Sequence, residues 1–353
     1  MRAGYGKSLR KLFNSYNPLL LVDLGPGIFE SATVDTNILI IGKENNQGQL
    51  AGVTLNAEAK DAVLSDFINK NKSILPKMGE DAWFIGNQAE QNLKEKIERI
   101  GKPLKEWDVN IYYGIKTGLN EAFIIDTATR DRLVAEDSKS AEILKPILRG
   151  RDIKRYGYEW AGLWIIASGF DIDVPKKYPA VFKHLKQFEE KAKKRDDQGK
   201  NWWNLRSCAY YPEFEKEKVV YPNMTKYLPF IYDVDGYYTN QKCFILTSKK
   251  YLKYLTGYFN SSISQRWIRS NCPELQGGTR ELSKVFFANI PISPITPNNK
   301  GIVGQIERIV EKILSAKKQN PKADTSQSER EIDRLVYKLY ELTEEEIAIV
   351  ENK

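Results

Sequence analysis

Residues 112–125 read YYGIKTGLNEAFII, a stretch in which Gly114 and Gly118 enclose a lysine and a threonine ahead of an apolar run. The spacing is not the GxxxxGK[ST] of a phosphate-binding P-loop. Glycine permits backbone conformations that other residues avoid, so the stretch predicts a tight bend before a strand, EAFIID. Lys116 and Thr117 beside the bend either contact a phosphate or only complete the turn.

Strand-like and helical patterns alternate around this stretch, across residues 107–300. Short apolar runs bounded by turn residues favour strands, and longer periodic segments favour helices. The strand-like runs are GLWIIA, KVVYP, PFIYDV, YYTNQKCFIL and VFFANIPI. This alternation predicts an α/β (α+β) domain with a mixed, twisted sheet.

The segments on either side of this domain have different patterns. Residues 1–56 contain one helical pattern and two strand-like runs, too little to bury a core alone, so they are interpreted as the edge of another domain. Residues 57–106 are polar and helical, which predicts a linker. Residues 301–353 contain two amphipathic helices around a polar break, which predicts an antiparallel helical hairpin. A capping box formed by Thr343 and Glu346 is expected in this last segment.

The chain is basic, with a formal net charge of +8 and a pI of about 9.0. The excess of lysine and arginine precedes Gly301, and the remainder is mildly acidic. A basic body suits a polyanionic partner, with nucleic acid the first candidate, although ordinary solubility charge is the alternative.

Cysteine and histidine are scarce, which excludes several kinds of site. Cys208, Cys243 and Cys272 do not have zinc-ligand spacing, so no metal site is predicted. A single histidine, His184, makes a histidine-based nucleophilic triad improbable, and its charged surroundings predict a solvated helix position. The odd cysteine count and the absence of an apolar run of roughly 20 residues predict a cytoplasmic protein without a membrane partner.

Two basic stretches have the composition of a nucleic-acid surface, where cations take phosphates and aromatic rings take bases. The first, residues 143–160, is ILKPILRGRDIKRYGYEW; the second, residues 200–207, is NWWNLRS preceded by a lysine. A solvated basic turn and tryptophans buried in the core are the alternatives. The candidate DNA-binding residues from these stretches are Arg149, Arg151, Lys154, Arg155, Lys200, Trp202 and Arg206.

A glycine pair marks a further candidate loop, NCPELQGGTRELS. Gly277 and Gly278 leave the backbone open to close approach, and Arg280 can reach a phosphate or a guanine edge, or can be structural. By contrast, DLGPGIF at residues 23–29 precedes a strand pattern, so it is interpreted as a turn and not a cofactor loop. NPLL at residues 17–20 lacks the aromatic residue of a base-gripping loop. No catalytic residue is predicted.

Several segments together resemble a known family. These are YYGIKTGLNEAFIID, SAEILKPILRGRDIKRY, KNWWNLRSCAYYPEFEKEKVVYP, GYYTNQKCFIL, LTGYFNSSIS, QGGTRELS and ANIPI, in order across residues 107–297. They resemble the TaqI-like C-terminal specificity domain of type IIG restriction–modification enzymes and adenine-N6 DNA methyltransferases. Residues 3–43 are similar to the last part of the methyltransferase domain of these enzymes.

The resemblance implies a target-recognition domain at residues 107–300 that reads double-stranded DNA in a cytoplasmic, nucleoid-associated restriction–modification system. Lys116, Lys154, Arg155 and Lys200 would hold phosphates, and some of Arg149, Arg151, Arg206 and Arg280 would read bases. The catalytic and cofactor motifs of the family have no counterpart in the sequence, so S-adenosylmethionine is expected only for the full-length enzyme. The alternatives are a subunit of a split adenine-specific methyltransferase, with a methyltransferase or nuclease portion on another chain, and a protein-interaction scaffold.

Overall fold

The computed structural model describes residues 6–25, 28–29, 36–55, 63–75, 79, 83, 85 and 88–351. The α-helices within these residues are α1 Lys7–Asn14, α2 Leu64–Asn71, α3 Gln88–Ile100, α4 Asn120–Phe123, α5 Thr127–Glu136, α6 Val174–Lys177, α7 Pro179–Lys186, α8 Glu189–Ala192, α9 Leu252–Phe259, α10 Ser262–Asn271, α11 Lys284–Phe287, α12 Lys300–Gln319, α13 Ser326–Leu339 and α14 Glu344–Val350.

The strands within the same residues range from two to nine residues in length. They are β1 Asn17–Gly25, β2 Thr36–Gly42, β3 Ala51–Thr54, β4 Ser73–Ile74, β5 Lys102–Pro103, β6 Val109–Tyr113, β7 Ile124–Asp126, β8 Leu144–Leu148, β9 Ile153–Lys154, β10 Gly157–Tyr158, β11 Leu163–Ile166, β12 Lys218–Pro222, β13 Met224–Thr225, β14 Ile231–Asp233, β15 Tyr238–Thr239, β16 Cys243–Ser248, β17 Arg280–Glu281 and β18 Pro291–Ile292.

The chain forms two compact units, each built from separate pieces of sequence. The first comprises residues 1–106, 262–295 and 336–353, and the second comprises residues 107–261 and 296–335. The mixed helices and open sheets confirm the predicted α/β fold class. None of the helices in the described ranges is both long and apolar enough to cross a membrane.

The first unit has a four-stranded sheet in the order β2-β1-β3-β4. Strand β1 is antiparallel to β2 and parallel to β3. Strand β4 lies within the segment that composition predicted to be a linker, and it pairs with β3 in the antiparallel direction. Leu75, the residue after β4, packs directly on Gly52. The sequence DLGPGIF includes residues 26 and 27, which lie outside the described residues.

The second unit has two four-stranded sheets, ordered β14-β12-β16-β6 and β15-β8-β11-β7. All neighbours in the first of these sheets are antiparallel, and in the other only β15 and β8 are parallel. One hydrophobic core runs through both sheets, with Phe123, Ile147, Ile165 and Val220 completely buried within it. This core fixes the strand ends from which the candidate site loops emerge.

The predicted C-terminal helices are present as α12 and α13. Helix α12 packs on α9, where a Cβ atom on Gly257 would lie only 2.8 Å from Ile306 Cγ2. The close approach explains why the contact needs glycine at this position. The predicted capping box at the start of α14 is confirmed, with Thr343 and Glu346 each bonding the backbone of the other.

Three local predictions were wrong. EAFIID is not a continuous strand, because α4 occupies its first half and β7 only its end; in VFFANIPI, α11 precedes β18. Short apolar runs do not distinguish a buried helical turn from a buried strand. His184 is not solvated either: it lies on α7, where only 9% of it is exposed, and its ring is 5.5 Å from that of Phe188.

The burial of His184 predicts a pH-dependent stability. Burial lowers the pKa of His184 below its ordinary value, despite a hydrogen bond with the Ala122 backbone that acts in the opposite direction. Its stabilising contribution is therefore complete above the unfolded pKa of about 6.5 and is lost as the pH falls through the folded pKa.

We expect the urea midpoint to fall between about pH 7.5 and pH 5.5, and to fall less in His184→Gln. Because His184 is the one histidine of the sequence, the difference between the two proteins isolates its titration. An equal fall of the urea midpoint in both proteins would contradict the assignment of the pH dependence to His184.

Candidate nucleic-acid interface

Three loops of the second unit are joined by backbone hydrogen bonds. The Ile115 N–H donates to the carbonyl of Thr239 at 2.7 Å, and the Gln241 N–H donates to the carbonyl of Ile115 at 2.9 Å. The Asn240 N–H donates to the carbonyl of Leu148 at 3.2 Å. We call the set formed by residues 114–119, 148–155, 194–206 and 239–242 the loop cluster; the contacts that add residues 194–206 are given below.

Gly114 is the point of closest approach in the loop cluster. A Cβ atom at Gly114 would lie 1.9 Å from the carbonyl oxygen of Asn240, so no other residue fits there without moving the backbone. Gly118 has a φ of +69°, a left-handed conformation that favours glycine. The bend predicted from the two glycines is therefore present.

Lys116 and Thr117 point in different directions from this bend. Lys116 is about half exposed, and its Nζ lies 2.9 Å from Asp197 Oδ2. Thr117 is only 3% exposed, and its hydroxyl donates to Asn120 Oδ1 at 2.6 Å. Lys116 is therefore accessible at the surface, whereas Thr117 in this structure holds the turn.

Arg195 anchors the segment 194–206 to the bend. Its guanidinium donates to the carbonyls of Thr117 and Asn204, and to the carbonyl of Trp202 at 2.8 Å. It also lies 4.2 Å above the ring of Phe123, and burial lowers the pKa of Arg195 to about 10. One buried arginine thus binds three backbone carbonyl groups and joins residues 194–206 to residues 114–119.

A polar cavity of about 350 Å³ opens between these loops. Basic, acidic and amide side chains line it, with the glycine of the bend at its edge. The lining residues are Lys116, Gly118, Asn120, Lys194, Arg195, Asp196, Asp197 and Gln241. The described residues contain no group of three or more His, Cys, Asp or Glu side chains suited to a metal ion.

The turn at residues 149–152 holds one candidate arginine and exposes another. The backbone N–H of Arg149 donates to the carboxylate of Asp152, and its guanidinium binds the same carboxylate at 3.0 and 2.8 Å. This pairing raises the pKa of Arg149. Arg151 is exposed and makes no side-chain hydrogen bond or ion pair with the part of the chain that the structure describes.

The next candidates, Lys154 and Arg155, are both partly engaged. Lys154 Nζ donates to the carbonyl of Arg151 at 3.0 Å and lies 3.5 Å from Glu159. Arg155 pairs with Glu329 of α13 and is one third exposed. Lys154 is therefore more accessible to a phosphate than Arg155.

The second basic stretch divides between surface and core. Lys200 is exposed without a side-chain partner among the described residues, and Arg206 is 57% exposed with Nη1 3.4 Å from Asp197 Oδ1. Trp202 is half-buried, with its ring 5.8 Å from that of Phe182. The structure thus places Lys200 and Arg206 at the surface, with Trp202 partly in the core.

The remaining candidates belong to the first unit. Gly277 and Gly278 both have positive φ, and a Cβ atom on either would meet nothing within 4 Å. Arg280 is only 8% exposed and pairs with Glu274. The backbone of the glycine pair is open, while the guanidinium of Arg280 is held inside its own unit.

Sequence reasoning missed several exposed residues near these loops. Lys194 lines the cavity, and Lys242 lies beside the turn, with its Cβ 3.9 Å from the position of a Cβ on Gly150. Single cations in polar loops give no periodic signal, so only the fold brings Lys194 and Lys242 to the loop cluster.

Comparison with known proteins gives the family context of these loops. A family model described as the TaqI-like C-terminal specificity domain matches residues 145–292. The chain is 24% identical over 379 residues to the type II methyltransferase M.BstVI of Geobacillus stearothermophilus. That alignment covers 99% of this chain and 63% of the methyltransferase.

Two restriction–modification enzymes are among the solved structures that match the chain. The type IIL enzyme MmeI, solved in complex with DNA, matches with a TM-score of 0.61 and 13% identity, over 96% of this chain and 45% of MmeI. The type IIG endonuclease BpuSI matches with a TM-score of 0.40 and 13% identity, over 96% of this chain and 46% of BpuSI. Over residues 145–292 the chain is thus similar to the TaqI-like C-terminal specificity domain, and over 99% of its length it is similar to a type II methyltransferase.

Proposed function

We propose that this chain recognises double-stranded DNA sequence-specifically, as the specificity part of a restriction–modification enzyme. The observation that carries the proposal is a path of exposed cations across the loop cluster. Lys194 lines the cavity together with Gln241, Lys242 follows Gln241 in the chain, and the backbone of Lys242 lies against the turn that carries Arg151. None of these three cations has a side-chain partner within the described ranges.

Exposed cations without an intramolecular partner, carried by hydrogen-bonded loops, are suited to binding the phosphates of a DNA backbone. A lysine acts on phosphate as a point charge, whereas an arginine can also form two parallel hydrogen bonds with a guanine edge. Lys116 and Arg206 add two exposed cations at the same loops, and both are held by a carboxylate that DNA would have to displace. We infer that lysines position the duplex and that Arg151 reads a base.

MmeI, whose fold this chain shares, was solved in complex with DNA. Binding of DNA by a protein of the same fold supports the choice of duplex DNA over other polyanions. We propose that the protein acts in the cytoplasm, on the DNA of the nucleoid.

The test is selection of a randomised duplex library by the purified chain across a salt series. Enrichment of one short motif, with affinity that falls as salt rises, is the expected result. Absence of binding at low salt would overturn the proposal.

Arg151→Ala should then weaken binding to the selected duplex by about 1–3 kcal/mol and relax selectivity at one base pair. The control is Arg132→Ala on α5, an exposed arginine paired with Glu136 outside the loop cluster, which should leave binding unchanged. The measurement is the dissociation constant for the selected duplex and for each single-base variant of it. Equal effects of the two substitutions would argue against base readout by Arg151.

Methyl transfer belongs to a separate proposal, because the chain spans 63% of the length of M.BstVI and 45% of MmeI. We propose that this chain supplies specificity and that S-adenosylmethionine is bound by parts of the full-length or assembled enzyme outside it. Equilibrium dialysis of the isolated chain with S-adenosylmethionine checks this, and saturable binding would contradict it.

A further inference from the structure

Asp197 occupies the centre of the loop cluster, between two of the cations proposed to meet DNA. Its two carboxylate oxygens are used separately: Oδ2 lies 2.9 Å from Lys116 Nζ, and Oδ1 lies 3.4 Å from Arg206 Nη1. The side chain of Asp197 is 12% exposed, against 48% for Lys116 and 57% for Arg206. The carboxylate is therefore recessed, and the cations reach it from the surface.

The backbone around Asp197 is fixed. Arg195 binds three carbonyl groups, as described above, and the amide of Gln198 donates to the carbonyls of Lys193 at 2.9 Å and Arg195 at 2.6 Å. An isolated antiparallel β-bridge also pairs the backbone of Gln198 with that of Leu205. The Asp197 side chain itself lies against the bend, since a Cβ on Gly118 would be 3.1 Å from its Cβ. The backbone that carries the carboxylate is thus held by its neighbours, whereas Lys116 and Arg206 have long and flexible side chains.

We propose that Asp197 is a specificity-determining residue that competes with DNA phosphates for Lys116 and Arg206, and thereby suppresses binding to non-cognate duplex. The inference rests on the proposed function. In the free protein, the carboxylate occupies the place of a phosphate. On non-cognate DNA, phosphate contacts alone must displace Asp197 and leave its charge close to the DNA backbone. On cognate DNA, base contacts add the free energy that offsets this displacement.

The magnitudes allow the exchange. Ion pairs with exposed partners are worth about 0–1 kcal/mol each, so a phosphate can replace the carboxylate without a large barrier. The like charge of Asp197 acts across a few ångströms and is partly screened by salt. The competition between Asp197 and the phosphates therefore alters mainly the salt-dependent, sequence-independent part of the affinity for DNA. This part determines non-specific binding.

The experiment compares the full chain with Asp197→Asn, which keeps the size and one oxygen acceptor but removes the charge. Dissociation constants are measured for the duplex enriched from the library and for a duplex of unrelated sequence, at two salt concentrations. We expect Asp197→Asn to tighten binding to the unrelated duplex about three- to tenfold at low salt, and to lower the ratio between the two duplexes.

The matched control is Asp196→Asn, which removes the same charge from the neighbouring residue that also lines the cavity. Asp196 forms no ion pair in the part of the chain that the structure describes, so its effect reports net charge alone. An equal gain from both substitutions, or no gain from Asp197→Asn, would overturn the inference. Binding of the wild-type chain to neither duplex, with no gain in Asp197→Asn, would overturn both this inference and the proposed function.

A second variant tests whether Asp197 acts through Lys116. Lys116→Gln removes one of the two restrained cations and leaves the carboxylate in place. In the double variant, the gain produced by Asp197→Asn should shrink, because one of the cations that it releases is absent. Full additivity of the two substitutions would show that Asp197 does not act through Lys116.

Discussion

Lys218→Met should lower the free energy of unfolding of the second unit by about 3–5 kcal/mol, the largest effect expected from a single substitution in this protein. Lys218 begins β12 and Asp233 ends β14, and neither side chain is exposed. Their charged atoms lie 2.5 Å apart. Burial lowers the pKa of Lys218 and raises the pKa of Asp233, which reflects the desolvation that the pair must overcome.

The loss of stability in Lys218→Met arises from the buried Asp233 carboxylate, which would lose its charged partner. Lys218 Nζ also donates to the carbonyl of Phe214 at 2.5 Å, and the Asp233 carboxylate accepts the N–H groups of Asp235 and Tyr237 at 2.9 and 3.0 Å. Methionine would remove the ammonium and leave a buried carboxylate that only these two backbone groups stabilise. An uncompensated buried charge is more destabilising than loss of the pair as a whole.

Urea unfolding followed by tryptophan fluorescence measures the effect, since five tryptophans lie between Trp107 and Trp203 in the second unit. Lys191→Met is the control, because Lys191 forms an exposed pair with Glu121 at 2.8 Å and should cost at most about 1 kcal/mol. Lys218→Met combined with Asp233→Asn should recover part of the loss. A loss for Lys218→Met no larger than that of the control would contradict the argument.

The fold class and the bend were predictable because they depend on local chemistry. Alternating apolar runs and helical periods indicate an α/β domain, and Gly114 and Gly118 are at positions that require glycine for close approach and for a positive φ. The direction of Thr117 was not predictable, since a polar residue in a turn is equally compatible with a buried or an exposed side chain.

The central residues of the loop cluster were hidden in a charged run. The segment KAKKRDDQGK contains Lys194, Arg195 and Asp197, and by pattern it looks like a solvated face. Arg195 reaches the carbonyl of Thr117, 78 residues away, and Asp197 reaches Lys116. Such pairings depend on which strands, distant in sequence, end beside one another in the fold. The local sequence pattern contains no signal for them.

Arg195→Met should destabilise the loop cluster by about 2–4 kcal/mol, because the carbonyls of Thr117, Trp202 and Asn204 would lose a charged donor. The consequence for function follows from position. Thr117 adjoins Lys116, and Asn204 precedes Arg206 by two residues. The backbone that positions both cations would therefore no longer be held in place. We expect affinity for the selected duplex to fall about tenfold or more, as for the loss of a direct contact.

Two further variants distinguish this positioning role from loss of charge. Arg195→Lys keeps the charge, but a single ammonium cannot span three carbonyls in a planar fork, so it should recover only part of both stability and affinity. Lys193→Met removes an exposed charge from the same segment, paired with Glu189 at 2.7 Å, and should change stability by less than about 1 kcal/mol. If Arg195→Lys restored wild-type binding and stability, the charge of Arg195 and not its three-way hydrogen bonding would be what organises the loops.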